Sequence, residues 1–161
     1  MTKKNAKREP ASMLNRRATH EYFFIQEYEA GVMLIGSEVK ALREGNANMT
    51  DSFCFFKDNE LYIKNLHISE YQRNGSFNEL DSKRMRKLLL KKMELRKLQR
   101  ALIEKGKTIV PYRMFFNERG KVKVVIALAQ GKKDYDKRET LKNRDNKREL
   151  ANVMKAYNKN K

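Results

Sequence analysis

His20 and His67, with the acids Glu29, Glu38 and Asp51, are the side chains of this sequence best suited to acid–base or metal chemistry. Three carboxylates brought to one place would hold a divalent cation and activate water against a phosphodiester. The spacing does not ask for that. Neither histidine has a second ligand at a metal-binding interval, so each reads as an ordinary surface or core imidazole. Acids at turns and helix starts have structural uses, and nothing in the sequence requires the three to converge. Phosphate-cradling glycine motifs and the Gly-x-Ser-x-Gly nucleophile motif are missing. Cys54 is the only cysteine, which excludes an intramolecular disulfide and a cysteine-based zinc site within the chain. No catalytic residue, metal or cofactor is expected.

Charge points elsewhere. The 161 residues carry 37 Lys and Arg against 20 Asp and Glu, a formal net charge of +17. An excess of this size attracts polyanions, and nucleic acid fits it better than a merely solvated surface. An anionic membrane fits less well, because no basic helix has a continuous apolar face with aromatic anchors. Residues 83–107 hold eleven Lys and Arg against two Glu, and residues 131–161 hold eleven against five acids. Lys83, Arg84, Arg86 and Lys87 bracket the entry to a short apolar run beside a long polar loop, a placement suited to backbone phosphates. Tyr71, Phe77 and Tyr112 lie near enough in sequence for base stacking, with a core role equally open to Phe77 and Tyr112.

The longest uncharged apolar stretches, AGVMLIG and VVIALAQG, are too short to span a bilayer, and the basic N-terminal stretch has no apolar run of a signal peptide. A reduced, cytoplasmic setting follows as the expectation.

The elements that must position these residues can be read in outline. Residues 1–14 form a flexible basic arm. Glu21–Gln26 and Gly31–Ile35 read as two short strands joined at Glu29-Ala30-Gly31. SEVKALREG reads as a short helix capped by Ser37 and ended by Gly45, with Val39 and Leu42 inward. Ser52–Phe56 and Leu61–Asn65 make a hairpin turning at Lys57-Asp58-Asn59. A polar loop over 69–82 follows, then RKLLL as a strand. KKMELRKLQRALIEKG is a helix with Leu95, Leu98 and Leu102 on one face and Gly106 as its stop. The last hairpin turns at Asn117–Gly120, with Pro111 marking an edge or a bulge. Val122, Val124, Ile126 and Leu128 alternate as the inward face of its second strand. About seven short strands and two helices predict a mainly β domain, a small closed or nearly closed barrel, with an open α+β sandwich as the alternative.

Beyond Gly131 apolar residues nearly vanish. Leu150, Val153, Met154 and Tyr157 fall on one helical stripe, but an isolated helix of this kind is marginal in water. It would gain order against RNA.

The motifs LNRRATHEYF, YEAG, GSEVKALREG, RKLLL and GKVKVVIALAQGKKDYDKRE, followed by a basic tail, occur in that order over nearly the whole chain. In this the sequence resembles the SmpB (SsrA-binding protein) family, bacterial partners of transfer-messenger RNA (tmRNA) in trans-translation. The resemblance implies an OB-fold-like barrel over 15–130 that binds the tRNA-like domain of tmRNA. It implies a tail over 131–161 that is disordered in solution and becomes helical in the decoding centre and mRNA channel of a stalled ribosome. Carried over by motif, Asn15 with the basic pair Arg16 and Arg17, Glu29, and Leu89 support tmRNA binding, joined by the Lys83, Arg84, Arg86 and Lys87 cluster. Gly131, Lys132, Lys133, Asp136, Lys137 and Arg138 match elements that serve ribosomal accommodation. Tyr135 stands where relatives can have His, and Val153-Met154-Lys155 resembles the family's Ile-Met-Lys. The sequence departs from the pattern at Thr19, where a basic residue is usual, at Ser37, where Thr or Trp is common, and at Glu70, where Pro often follows His-Ile-Ser.

The partners so implied are tmRNA, the ribosomal RNA of the stalled ribosome and, through tmRNA, elongation factor Tu and alanyl-tRNA synthetase; the protein itself is expected to be a monomer. Two other classes are separable by experiment. A structural ribosomal or rRNA-binding OB-type protein would co-purify stoichiometrically with ordinary ribosomes. An RNA-cleaving or RNA-modifying enzyme would alter tmRNA in the presence of Mg²⁺.

Overall fold

A computed structural model describes residues 12–69 and 81–159. In chain order the elements are β1 (Met13–Leu14), α1 (Arg16–Glu21), β2 (Tyr22–Val32), α2 (Gly36–Arg43), β3 (Ala47–Asn48), β4 (Phe53–Lys57), β5 (Glu60–Lys64), β6 (His67–Ile68), β7 (Arg86–Leu89), α3 (Lys92–Ala101), β8 (Lys107–Phe116), β9 (Val122–Gly131) and α4 (Asp134–Lys159).

All strand pairs are antiparallel, and the circuit β2–β9–β8–β4–β5–β7 returns to β2. Six strands therefore close a barrel, which removes the exposed edges an open sheet would leave. β1 adds outside the circuit, pairing Met13 with Met114 of β8. The β4–β8 seam is narrow, with Cys54 opposite Ile109. Cys54 is buried there, and burial pushes its thiol far above the ordinary range.

Alternation builds the core. Val122, Val124, Ile126 and Leu128 of β9 point inward with Tyr28 and Ala30 of β2, Leu61 and Ile63 of β5, Leu88 of β7, and Ile109 and Met114 of β8. Leu42 of α2 and Leu98 of α3 complete the same cluster. Each large aliphatic side chain so buried contributes about 1.5–3 kcal/mol relative to exposure. A second cluster forms on the other face of β8 and β9, where Val110, Ala127 and Ala129 meet Ala18 of α1. Alanine at 127, 129 and 18 lets the helix approach the sheet closely, so β9 is buried on both faces over 126–129.

The hairpin expected around Asp58-Asn59 is present, with both residues at positive φ, 51° and 61°, as a two-residue turn requires. Pro111 lies at a bulge, where the register shifts between Pro111 and Arg113. Four expectations need correction. The two strands expected over 21–35 are one continuous strand, β2, because Gly31 pairs on both sides, with Leu89 and with Lys123, and so stays extended. Met13 and Leu14, assigned to a flexible arm, form β1; the remainder of the arm, 1–11, lies outside the described residues. Glu21, expected to open the first strand, instead ends helix α1 over Arg16–Glu21, which Asn15 caps. In α2 the cap is not Ser37: the Ile35 N–H donates to Glu38 Oε2 at 3.0 Å.

The tail, expected to be disordered in solution, forms helix α4 over Asp134–Lys159. Asp136 accepts the Lys133 N–H at 3.2 Å, Asp134 and Asp136 complement the positive end of the dipole, and no Gly or Pro interrupts the run. None of its described side chains is buried, so composition rather than packing carries this helix.

Candidate nucleic-acid interface

At the start of α1, Asn15 is 4% exposed and fully engaged. Its Oδ1 accepts the Ala18 N–H at 3.2 Å, and its Nδ2 donates to the carbonyls of Met49 at 2.9 Å and Pro111 at 3.1 Å. Both amide hydrogens are used and the side chain is buried, so Asn15 orders the chain around it rather than facing solvent. Beside it stand Arg16, exposed, and Arg17, whose guanidinium pairs with Glu21 at 2.8 Å and Asp51 at 2.9 Å. Thr19 turns its hydroxyl back to donate to the Arg16 carbonyl at 2.8 Å.

Glu29, Leu89 and Lys123 share the outer face of β2, β7 and β9. Gly31 is paired with both Leu89 and Lys123, and a Cβ at Gly31 would lie 3.4 Å from that of Leu89. The missing side chain leaves room for Leu89, which is 50% exposed, to lie over the strand. Glu29 faces Lys123 at 3.4 Å. That pairing explains how an acid stands on a basic face: its charge is offset within the sheet. Lys123 was not singled out from sequence, although its place on the outward face of an alternating strand marked it as exposed.

The basic run at 83–87 divides. Arg84 forks onto Glu38, Nε to Oε1 at 2.9 Å and Nη2 to Oε2 at 2.7 Å. Arg86 is 1% exposed; its Nε reaches Glu38 Oε1 at 2.8 Å, and its other donors meet the carbonyls of Leu66, Ser82 and Arg84. Burial would raise the Glu38 carboxyl, but hydrogen bonds from Arg84, the Ile35 N–H and Arg86 outweigh it and hold the group below its ordinary value. Burial pulls the Arg86 guanidinium down, against the pull of Glu38. Arg86 is therefore an internal tie between β7 and the chain at 66 and 82, not a phosphate contact. Lys87 pairs with Glu60, and Lys83 is exposed. Glu29 pairs with Lys123, Glu38 with Arg84 and Arg86, and Asp51 with Arg17, and no group of metal ligands forms among the described residues.

Aromatic side chains are also redistributed. Tyr112 packs edge-on to Phe24 at 5.2 Å rather than standing free. Tyr71, Phe77 and Glu70 lie outside the described residues. Phe53, Phe55 and Tyr62 instead line the outer face of the β4–β5 hairpin, with centroids 6.0 and 6.2 Å apart. Their alternation with the buried Cys54, Leu61 and Ile63 was the signal that could have found them.

In the tail, Gly131 ends β9 opposite Tyr22. Lys132 turns inward: its Nζ donates to the Thr19 carbonyl at 3.1 Å and lies 4.9 Å over the Phe23 ring. Lys133, Tyr135 and Arg138 are exposed, Lys137 pairs with Asp134 at 3.6 Å, and Asp136 is the cap described above. Val153, Met154 and Lys155 are exposed with Leu150 and Tyr157 on α4.

Residues 12–156 match the family model described as SmpB protein. The chain belongs to the SmpB family. The match runs from β1 through nearly all of α4, so barrel and tail both fall within it. Among similar proteins are the SsrA-binding proteins of Phocaeicola vulgatus, 50% identical over 91% of this chain and 97% of that protein, and of Trichodesmium erythraeum, 48% identical over 98% and 100%. That of Bacteroides thetaiotaomicron is 47% identical over 92% and 99%. A chain of a solved structure described as "tmRNA-SmpB: a journey to the center of the bacterial ribosome" superposes with a TM-score of 0.64 at 50% identity, covering 76% of this chain and 85% of that one. No helix among the described residues is long and apolar enough to cross a membrane.

Proposed function

We propose that this SmpB-family protein is an RNA-binding adaptor, not an enzyme: its barrel binds the tRNA-like domain of tmRNA and delivers it to stalled ribosomes in the cytoplasm for trans-translation. The observation that carries this reading is end-to-end similarity to SsrA-binding proteins at about half identity, retained across both the barrel and the tail. The outer face bearing Leu89, Glu29 and Lys123, with Arg16 exposed at the start of α1, offers an apolar contact flanked by charges on a closed, preorganised barrel. Shape recognition of folded RNA needs such a rigid face, with cations for phosphates and 2′-hydroxyls. The stripe of Leu150, Val153, Met154 and Tyr157 is uncovered among the described residues and fits a tail that packs in the decoding centre and mRNA channel. In this reading the chemistry belongs to alanyl-tRNA synthetase and to the ribosome.

Truncation after Lys133 tests the division of labour, because Gln130 and Gly131 still pair with β2. The truncated protein is expected to bind tmRNA with near-normal affinity and to lose peptide tagging on stalled ribosomes. Loss of tmRNA binding in the truncated, folded protein would overturn the two-part reading.

A further inference from the structure

Helix α4 leans on α1 along its early turns, and an open cleft separates the two. Arg16, Thr19 and His20 line one side; Asn143, Arg144 and Lys147 line the other. Lys132 pins the helices beside it, donating to the Thr19 carbonyl at 3.1 Å and to Thr140 Oγ1 at 3.4 Å. Among the described residues every charged group lining this cleft is basic, and no carboxylate joins them. The contrast with the next residue is informative, since Arg17 has two acids, Glu21 and Asp51. Cations that face one another across a concave surface repel, and an anion seated between them reverses the sign of the interaction. Two guanidiniums, an ammonium and the side-chain amide of Asn143 match the oxygens of a phosphate, whereas the hydroxyls of Thr19 and Thr140 already donate to the carbonyls of Arg16 and Asp136.

We propose that this cleft binds one phosphodiester of an RNA strand and that the phosphate is held by the folded body and the tail together. The two walls come from residues 16–20 and 143–147, so an occupied cleft fixes the direction of α4 relative to the barrel. Binding and tail orientation are then one event. This goes beyond the function proposed above, which needs only the barrel face for tmRNA, and rests on it for the choice of RNA over other phosphate carriers.

The two histidines make the test direct, because His20 lines the cleft and His67, on β6, does not. Their ring signals are followed by NMR in the full chain during titration with a short single-stranded RNA oligonucleotide and, separately, with inorganic phosphate. The oligonucleotide is expected to shift His20 and leave His67 in place, at far lower concentration than inorganic phosphate. In Arg144→Gln/Lys147→Gln, which keeps helix-favouring side chains, the His20 shift is lost and the log–log salt dependence of oligonucleotide binding becomes shallower by about 0.7, the share of one single-strand phosphate. The charge-matched Lys142→Gln/Arg148→Gln pair, outside the cleft, keeps the His20 shift. A shift that survives in Arg144→Gln/Lys147→Gln, or disappears equally in both pairs, overturns the site. Saturation by inorganic phosphate at the lower concentration overturns the RNA strand as its occupant. Wild-type protein that fails to bind tmRNA overturns the function proposed above, while the His20 titration still decides the cleft.

Discussion

The side-chain amide of Asn15 donates to the main-chain carbonyl of Met49 at 2.9 Å and ties the start of α1 to a loop 34 residues further along the chain. The same side chain caps the helix through Ala18 and holds Pro111 at the β8 bulge. In the proposed function Asn15 therefore acts by position, through the exposed Arg16 that α1 presents. Asn15→Ala removes a cap and leaves buried carbonyls without donors, and is expected to cost about 2–3 kcal/mol in urea unfolding. Affinity for tmRNA should fall with it. Arg16→Ala should lower affinity with stability unchanged, and equal losses of stability in the two variants would contradict the assignment.

Glu38 neutralises two arginines at the base of β7. Removing the carboxylate leaves Arg86 buried and unpaired, so Glu38→Gln is expected to destabilise the fold by about 3–5 kcal/mol. The pH dependence has a definite sign. A carboxyl held below its ordinary value in the fold stabilises the native state above the unfolded-state value and loses that contribution as pH falls through the folded one. The melting temperature of the wild type should therefore decline on acidification below the ordinary carboxylate range. Glu38→Gln should start lower and decline less over the same interval, which calorimetry at stepped pH will show.

Leu89 is half exposed, and Gly31 gives it the space to lie over β2. Leu89→Ser should change stability by about 0.5 kcal/mol or less, as expected for an outward position, while weakening tmRNA binding by about tenfold, the size of a single apolar anchor. Gly31→Val adds branched atoms toward the Leu89 side chain without asking for unusual backbone geometry. It should lower tmRNA affinity in the same direction by displacing Leu89. Filter binding of both variants, beside their melting curves, separates contact from folding.

Much of the barrel was legible in the sequence because its strands alternate cleanly: Val122 to Leu128, the β4–β5 hairpin around Asp58-Asn59, and the leucines of α3 all fall where period and turn chemistry put them. The failures have physical causes. Gly31 looked like a turn residue, but tertiary pairing on both sides holds it extended. Helix α1 spans only six residues, Arg16–Glu21, and depends on Asn15 bonds to residues 49 and 111 that no local window contains. The basic cluster at 83–87 was read correctly as charge and wrongly as uniform surface, since alternation along β7 turns Arg86 inward, where the distant Glu38 meets it. Motif resemblance singled out Asn15, Glu29 and Leu89, yet the bonds and neighbours of each came only from the structure.

Helix α4 differs from β9 in what holds it. Residues 126–129 of β9 are buried on both faces and hydrogen-bonded to β2 and β8, whereas the described side chains beyond Leu141 in α4 are all exposed. A helix without tertiary cover keeps its hydrogen bonds only to the extent that propensity allows, and its amides exchange through local opening. Hydrogen exchange of the full chain should accordingly protect 122–131 to near the global unfolding free energy and leave 148–157 exchanging within the dead time of a manual experiment. Addition of stalled ribosomes carrying tmRNA should slow exchange at 148–157 strongly and change β9 little. Protection of 148–157 in the free protein comparable to that of β9 would mean that the apolar stripe of Leu150, Val153, Met154 and Tyr157 already has a partner within the molecule.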